Sequence, residues 1–176
     1  MNALIPATVP TGAVTIALRS NYRGPAGSAV ANVQAQAPGI FVNPSADCSV
    51  SSQGCAQMLS RAVLTDGRNA LILSTNPAHT GEGIVIWLTG LGVSATAPQV
   101  NLLPFTGSAV SAQVFYSGHT SLAGLDQVNF YVPSGKALAT PCIVGSRLEL
   151  PMSLRSTVSG IQSNVLSLPV LVDACN

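Results

Sequence analysis

The side chains that could do chemistry are few and scattered. The chain holds two histidines, His79 in Asn-Pro-Ala-His-Thr-Gly and His119 in Ser-Gly-His-Thr-Ser, and both segments read as loops. A Ser-His-Asp site would need one of them, but there is no G-x-S-x-G elbow, and Asp66 and Asp126 lack a distinctive setting. Both histidines are therefore expected to be solvated. Glycoside chemistry would need paired carboxylates, and only Glu82 and Glu149 among the six scattered acids are glutamates. Gly90-Leu91-Gly92 lacks the third glycine and following helix of a nucleotide-binding loop, so it reads as a turn. No catalytic residue is expected.

The cysteines at Cys48, Cys55, Cys142 and Cys175 contain no C-x-x-C pair and lie far in sequence from both histidines, which argues against zinc. No D-x-[DN]-x-[DN]-G loop is present, and Asp66-Gly67 with Asp47 would need backbone carbonyls for most calcium ligands. Neither metal nor cofactor is expected. Four cysteines allow three pairings. We favour Cys48 with Cys55, closing a small loop, and Cys142 with Cys175, joining two late strands; four reduced buried thiols are the alternative. Disulfides imply an oxidising compartment. The sole tryptophan, Trp87, lies in an apolar run and is expected in the core rather than as a sugar-stacking ring. Lys136, the only lysine, sits in a predicted turn, which disfavours an isopeptide crosslink.

Composition narrows the rest. Of 176 residues, 47% are hydrophobic and only 7% charged, with a net charge of +1. Without clustered cations nucleic acid is excluded as a partner, and this hydrophobicity excludes disorder. No apolar run is long enough for a bilayer-spanning helix, so no membrane insertion is expected. So few charges leave little self-repulsion and suit an assembled or extracellular β-protein. The opening Met1-Asn2-Ala3-Leu4-Ile5-Pro6 has neither the basic region nor the apolar core of a signal peptide, so secretion would need a removed signal or a longer chain.

The elements that must position these residues read as short β-branched and apolar runs bounded by Gly, Pro, Asn and Ser. Strands are predicted near 12–18, 29–34, 61–65, 70–74, 83–89, 109–116, 126–132, 147–155 and 164–172. Residues 55–64 fit one short helix or an irregular strand. Alternation in the 109–116 run places Val110, Ala112, Val114 and Tyr116 on one face. Many short strands without βαβ alternation predict an all-β sandwich.

An internal repeat organises the chain. Asn2-Ala-Leu-Ile-Pro6, a turn, a strand ending Leu18-Arg19-Ser20, and Ser28-Ala-Val-Ala-Asn-Val33 recur in order. The second copy is Asn129-Phe-Tyr-Val-Pro133, a turn, a strand ending Leu154-Arg155-Ser156, and Ser163-Asn-Val-Leu-Ser-Leu168. Residues 1–37 thus resemble the second half of a preceding sandwich, and 38–176 a complete one. About 37 residues cannot bury enough apolar surface to fold alone. They are expected to complete another sheet, with Val14, Ile16 and Leu18 as one donated face and Val30 and Val33 adding apolar contacts from the next strand.

Ala37-Pro-Gly-Ile-Phe41, Gly81-Glu-Gly-Ile-Val-Ile-Trp-Leu-Thr-Gly-Leu-Gly92 and Gly124-Leu-Asp-Gln-Val-Asn-Phe-Tyr-Val-Pro133 occur in that order. The series resembles an uncharacterised C-terminal β-domain of acidobacterial secreted and surface proteins, related to IPT/TIG immunoglobulin-like domains. The resemblance covers most of 37–172, and the four cysteines and the insert around 45–60 depart from it. It implies an immunoglobulin-like β-sandwich in an extracellular setting and no enzyme activity. The expectation is a self-assembling extracellular structural subunit whose partners are copies of itself. The alternative is a binding or spacer module of a larger surface protein that meets a surface glycan or another cell-surface protein.

Overall fold

A computed structural model describes residues 6, 8–20, 24–43, 61–93, 96–104 and 107–176. In chain order the elements are β1 (Gly12–Ser20), β2 (Gly24–Val33), β3 (Gly39–Ile40), β4 (Val42–Asn43), β5 (Arg61–Ala62), β6 (Leu64–Thr65) and β7 (Ala78–His79). They continue with β8 (Gly83–Thr89), β9 (Gln99–Leu102), β10 (Val110–Ala112), β11 (Val114–His119), β12 (Asp126–Tyr131), α1 (Gly135–Leu138), β13 (Arg147–Arg155) and β14 (Leu166–Leu171). The chain is nearly all β, as expected.

Two sheets enclose one core. The larger runs β10-β9-β13-β14-β5-β4, with β7 also on β14; the smaller runs β11-β12-β8-β3, with β6 also on β8. Period-two patterning supplies the core. Ile84, Ile86 and Leu88 of β8 and Val128 and Phe130 of β12 face Leu150, Met152 and Leu154 of β13, and all are fully buried. The third sheet is the β1–β2 hairpin, which among the described residues pairs with no other strand.

Three strands change sheet midway and close the corners. They turn at Phe41, Val63 and Gln113, between β3 and β4, β5 and β6, and β10 and β11. Backbone bonds hold these turning points: Phe41 N–H donates to the Trp87 carbonyl (3.1 Å), Val63 N–H to Phe41 (2.8 Å) and Tyr131 N–H to Gln113 (3.0 Å). Asn164 pins β3, accepting the Ile40 N–H at 2.8 Å and donating to the Ile40 carbonyl at 3.0 Å.

Several expectations are corrected. The 61–65 run is two strands in different sheets, because it turns at Val63. No strand forms over 70–74: Asp66 Oδ1 accepts the N–H groups of Arg68 and Ala70, both at 2.8 Å, and folds the segment into turns with isolated bridges. The four-residue β9, between prolines, is additional, and Lys136 lies in α1 rather than a turn. In the 109–116 run a bulge between Val114 and Tyr116 reverses the alternation, so Tyr116 pairs across from Asn129 and turns outward, away from buried Ala112. Cys142 and Cys175 form a disulfide with Cα atoms 5.8 Å apart. The Cys48–Cys55 pairing and most of the 55–64 segment lie outside the described residues.

Candidate functional site

The hairpin is the first feature the fold does not use. β1 and β2 pair antiparallel from Gly12↔Val33 through Ser20↔Gly24. Cross-strand partners share a face, so Val14 opposite Ala31, Ile16 opposite Ala29, and Val33 opposite Gly12 lie together, and Leu18 takes the next register position opposite Gly27. That face is wholly apolar. Val30 pairs with Thr15 on the other face, beside Ser28 and Asn32. The expectation that Val30 works alongside Val33 is thereby refined, since an odd spacing in a strand puts the two on opposite sides. Ile16 is 43% exposed and Val30 73%. An isolated two-stranded hairpin is marginally stable in water, so such a ribbon calls for a partner.

The same chain displays what a hairpin of this sequence type does when partnered. Superposing the two Leu-Arg-Ser strand ends puts Val14, Ile16 and Leu18 on Leu150, Met152 and Leu154, and aligning the Ser-led runs 28–33 and 163–168 puts Val33 on Leu168. All four counterparts are fully buried in the β13–β14 hairpin. Val30 falls on Val165, which is exposed. β13 and β14 pair through Leu150↔Leu168 and Met152↔Leu166, two residues out of step with β1–β2. A shift of two preserves the faces. On its outer edges β13 pairs with β9, and β14 with β5 and β7. Among the described residues, no strand flanks the β1–β2 hairpin.

The segment after β2 is anchored. Gln36 is 2% exposed. Its side-chain carbonyl accepts from Ser156 Oγ (2.6 Å), its Nε2 donates to the Thr96 carbonyl (3.4 Å), and its backbone carbonyl accepts from Ser159 Oγ (2.9 Å). Ala37 N–H donates to Gly90 at 2.9 Å. Gly90 and Gly92 have positive φ, and a Cβ on either would overlap the Ala37 or Ala35 carbonyl. The Gly90-Leu91-Gly92 turn therefore seats the root of the hairpin. Sequence reasoning missed Gln36, Ser156 and Ser159, although Ser156 closes the repeated Leu-Arg-Ser.

The histidines are not simple loop residues. His119 ends β11 and its Nδ1 lies 2.6 Å from Oδ1 of buried Asp126, whose Oδ2 accepts the Leu91 N–H at 2.9 Å. Asp126 thus ties β12 to the turn after β8. His79 lies in β7 with Nδ1 2.7 Å from Asp173 Oδ2. Among the described residues, no hydroxyl bonds either imidazole and no group of three side chains could hold a metal ion. Trp87 is also corrected: it alternates with buried Ile86 and Leu88, lies half-buried on the outer face of the smaller sheet, and donates from Nε1 to Thr65 Oγ1 at 3.1 Å.

The fold and site define a nearly all-β protein in which two sheets share a core and an anchored hairpin pairs with no other described strand. No protein-family model matches the chain, and comparisons with curated proteins and with solved structures likewise found no significant match.

Proposed function

We propose that this chain is a non-enzymatic structural subunit with an immunoglobulin-like β-sandwich. It works outside the cell or at its surface and joins copies of itself through the N-terminal hairpin. The observation that carries this reading is the equivalence of Val14, Ile16 and Val33 to the buried Leu150, Met152 and Leu168. A ribbon with that apolar face gains by pairing its edges with another sheet, where main-chain bonds supply affinity and alternate side chains fill pockets. β10 and β11 are the terminal strands of the two sheets and run consecutively over 110–119, close to the length of β1 and β2. They form the natural acceptor. Such a contact is head-to-tail and does not close, which builds a fibre. The Cys142–Cys175 bridge favours an oxidising compartment.

One observation favours a second reading. The central slot that a hairpin of this type occupies is filled here by β13–β14. In a larger surface protein, the missing strands would belong to a preceding copy on the same polypeptide, and the chain would serve as a spacer or binding module.

Removing residues 1–33 while keeping the Gln36 anchor tests both readings by light scattering and negative-stain imaging. Polymers from the intact chain that vanish on deletion support assembly. Polymers unchanged by the deletion overturn it, and a stable monomer at micromolar concentration favours the module.

A further inference from the structure

Five aromatic residues gather on the outward side of the smaller sheet. Trp87 and Tyr131 alternate with core residues along β8 and β12, so their side chains point away from the core. Tyr116, turned outward by the β11 bulge, stands opposite Asn129. Phe115 stacks against Tyr131, ring centres 4.5 Å apart and planes tilted by 32°. Phe41 continues the row of Trp87 at the β3–β4 corner. Phe115, Tyr116 and Tyr131 are 48%, 45% and 43% exposed. Exposed aromatic side chains clustered on one face are the kind of surface that interaction sites present.

The polar groups between the rings indicate what the surface would meet. Gln127 lies beside Trp87, and Asn129 beside Tyr116. Gln127 Nε2 donates to Asn129 Oδ1 at 2.7 Å. That bond fixes both amides and leaves the Gln127 carbonyl oxygen and the Asn129 N–H groups without a partner among the described residues. None of the strand positions on this outer face carries a charge. A nucleic acid would need cations here, and a protein partner would ordinarily meet a charged or polar rim.

We propose that this face binds a neutral polysaccharide. The electron-rich ring faces of Trp87, Tyr116 and the Phe115–Tyr131 pair accept the C–H faces of the sugar rings, and the fixed Gln127 and Asn129 amides bond sugar hydroxyls. An uncharged surface of rings and amides matches an uncharged ligand of C–H faces and hydroxyls. This site is separate from the hairpin and does not depend on it for its side chains.

The test uses the full chain, with amylose, laminarin, xylan and galactomannan as neutral probes and polygalacturonate as the acidic control. Affinity electrophoresis reads retardation, and the fluorescence of Trp87, the sole tryptophan, reports on the face itself. We expect at least one neutral probe to retard the protein and shift Trp87 emission. Tyr116→Ala combined with Tyr131→Ala should weaken this by about tenfold or more, a loss of about 1.4 kcal/mol. Asn129→Ala should also weaken it, while Ile16→Lys in the hairpin leaves it intact, so assembly and sugar binding are read separately. The proposal is overturned if no neutral probe retards the protein, if only polygalacturonate does, or if the tyrosine variant binds as well as the parent. A Trp87 shift that follows protein concentration without sugar would overturn it in favour of contact between copies.

Discussion

Ser156 donates a 2.6 Å hydrogen bond to Gln36 across 120 residues of sequence, from the end of β13 to the root of the hairpin. The same hydroxyl accepts the N–H groups of Val158 and Ser159, so one serine shapes the turn after β13 and grips the segment that carries β1 and β2. The hairpin is therefore attached to the core sheet through a buried polar contact rather than a loose tether.

The seat of that root is tested at Gly92. Alanine there would take a positive φ and overlap the Ala35 carbonyl. We expect a loss of about 1–3 kcal/mol by urea unfolding. Gly160→Ala, also at positive φ but with open space around it, should cost only about 1 kcal/mol.

Ile16 and Met152 occupy equivalent repeat positions, one exposed and one fully buried. Met152→Ala should cost about 2–5 kcal/mol by denaturant unfolding. Ile16→Ala should change stability by no more than about 0.5 kcal/mol. On the proposed assembly, Ile16→Lys should reduce polymer formation in light scattering, because it places a charge on the apolar face of the hairpin.

Asp126 is buried and serves two donors, the Leu91 N–H and the His119 ring. Asp126→Ala leaves the Leu91 N–H unsatisfied and should destabilise the fold by about 1–3 kcal/mol. Asp126→Asn retains an acceptor for Leu91 and should cost less. Hydrogen exchange at the Leu91 amide would separate the two, with faster exchange expected in the alanine variant.

The Cys142–Cys175 bridge spans 33 residues and holds the segment after α1 to the end of the chain beyond β14. Loop-closure entropy gives it a contribution of about 3–4 kcal/mol. Cys175→Ser should lower the denaturant midpoint accordingly.

The sequence by itself determined the all-β class, the apolar runs that become β8 and β12, and the repeat that sets β1–β2 against β13–β14. These are local patterns, readable from alternation, turn residues and order along the chain. The parity of Val30 and Val33 was equally legible, since residues three apart in a strand face opposite ways. Tertiary structure decided what depends on distant pairing. The run Gly83-Ile-Val-Ile-Trp-Leu-Thr89 is apolar on both sides, so alternation placed Trp87 opposite Ile86 without saying which of the two met the core. The bulge at Tyr116, the sheet changes at Phe41, Val63 and Gln113, and the grip of Asp126 on Leu91 each need a partner strand or turn remote in sequence. Composition and periodicity carry no information about such partners, and the packed sheets alone fix them.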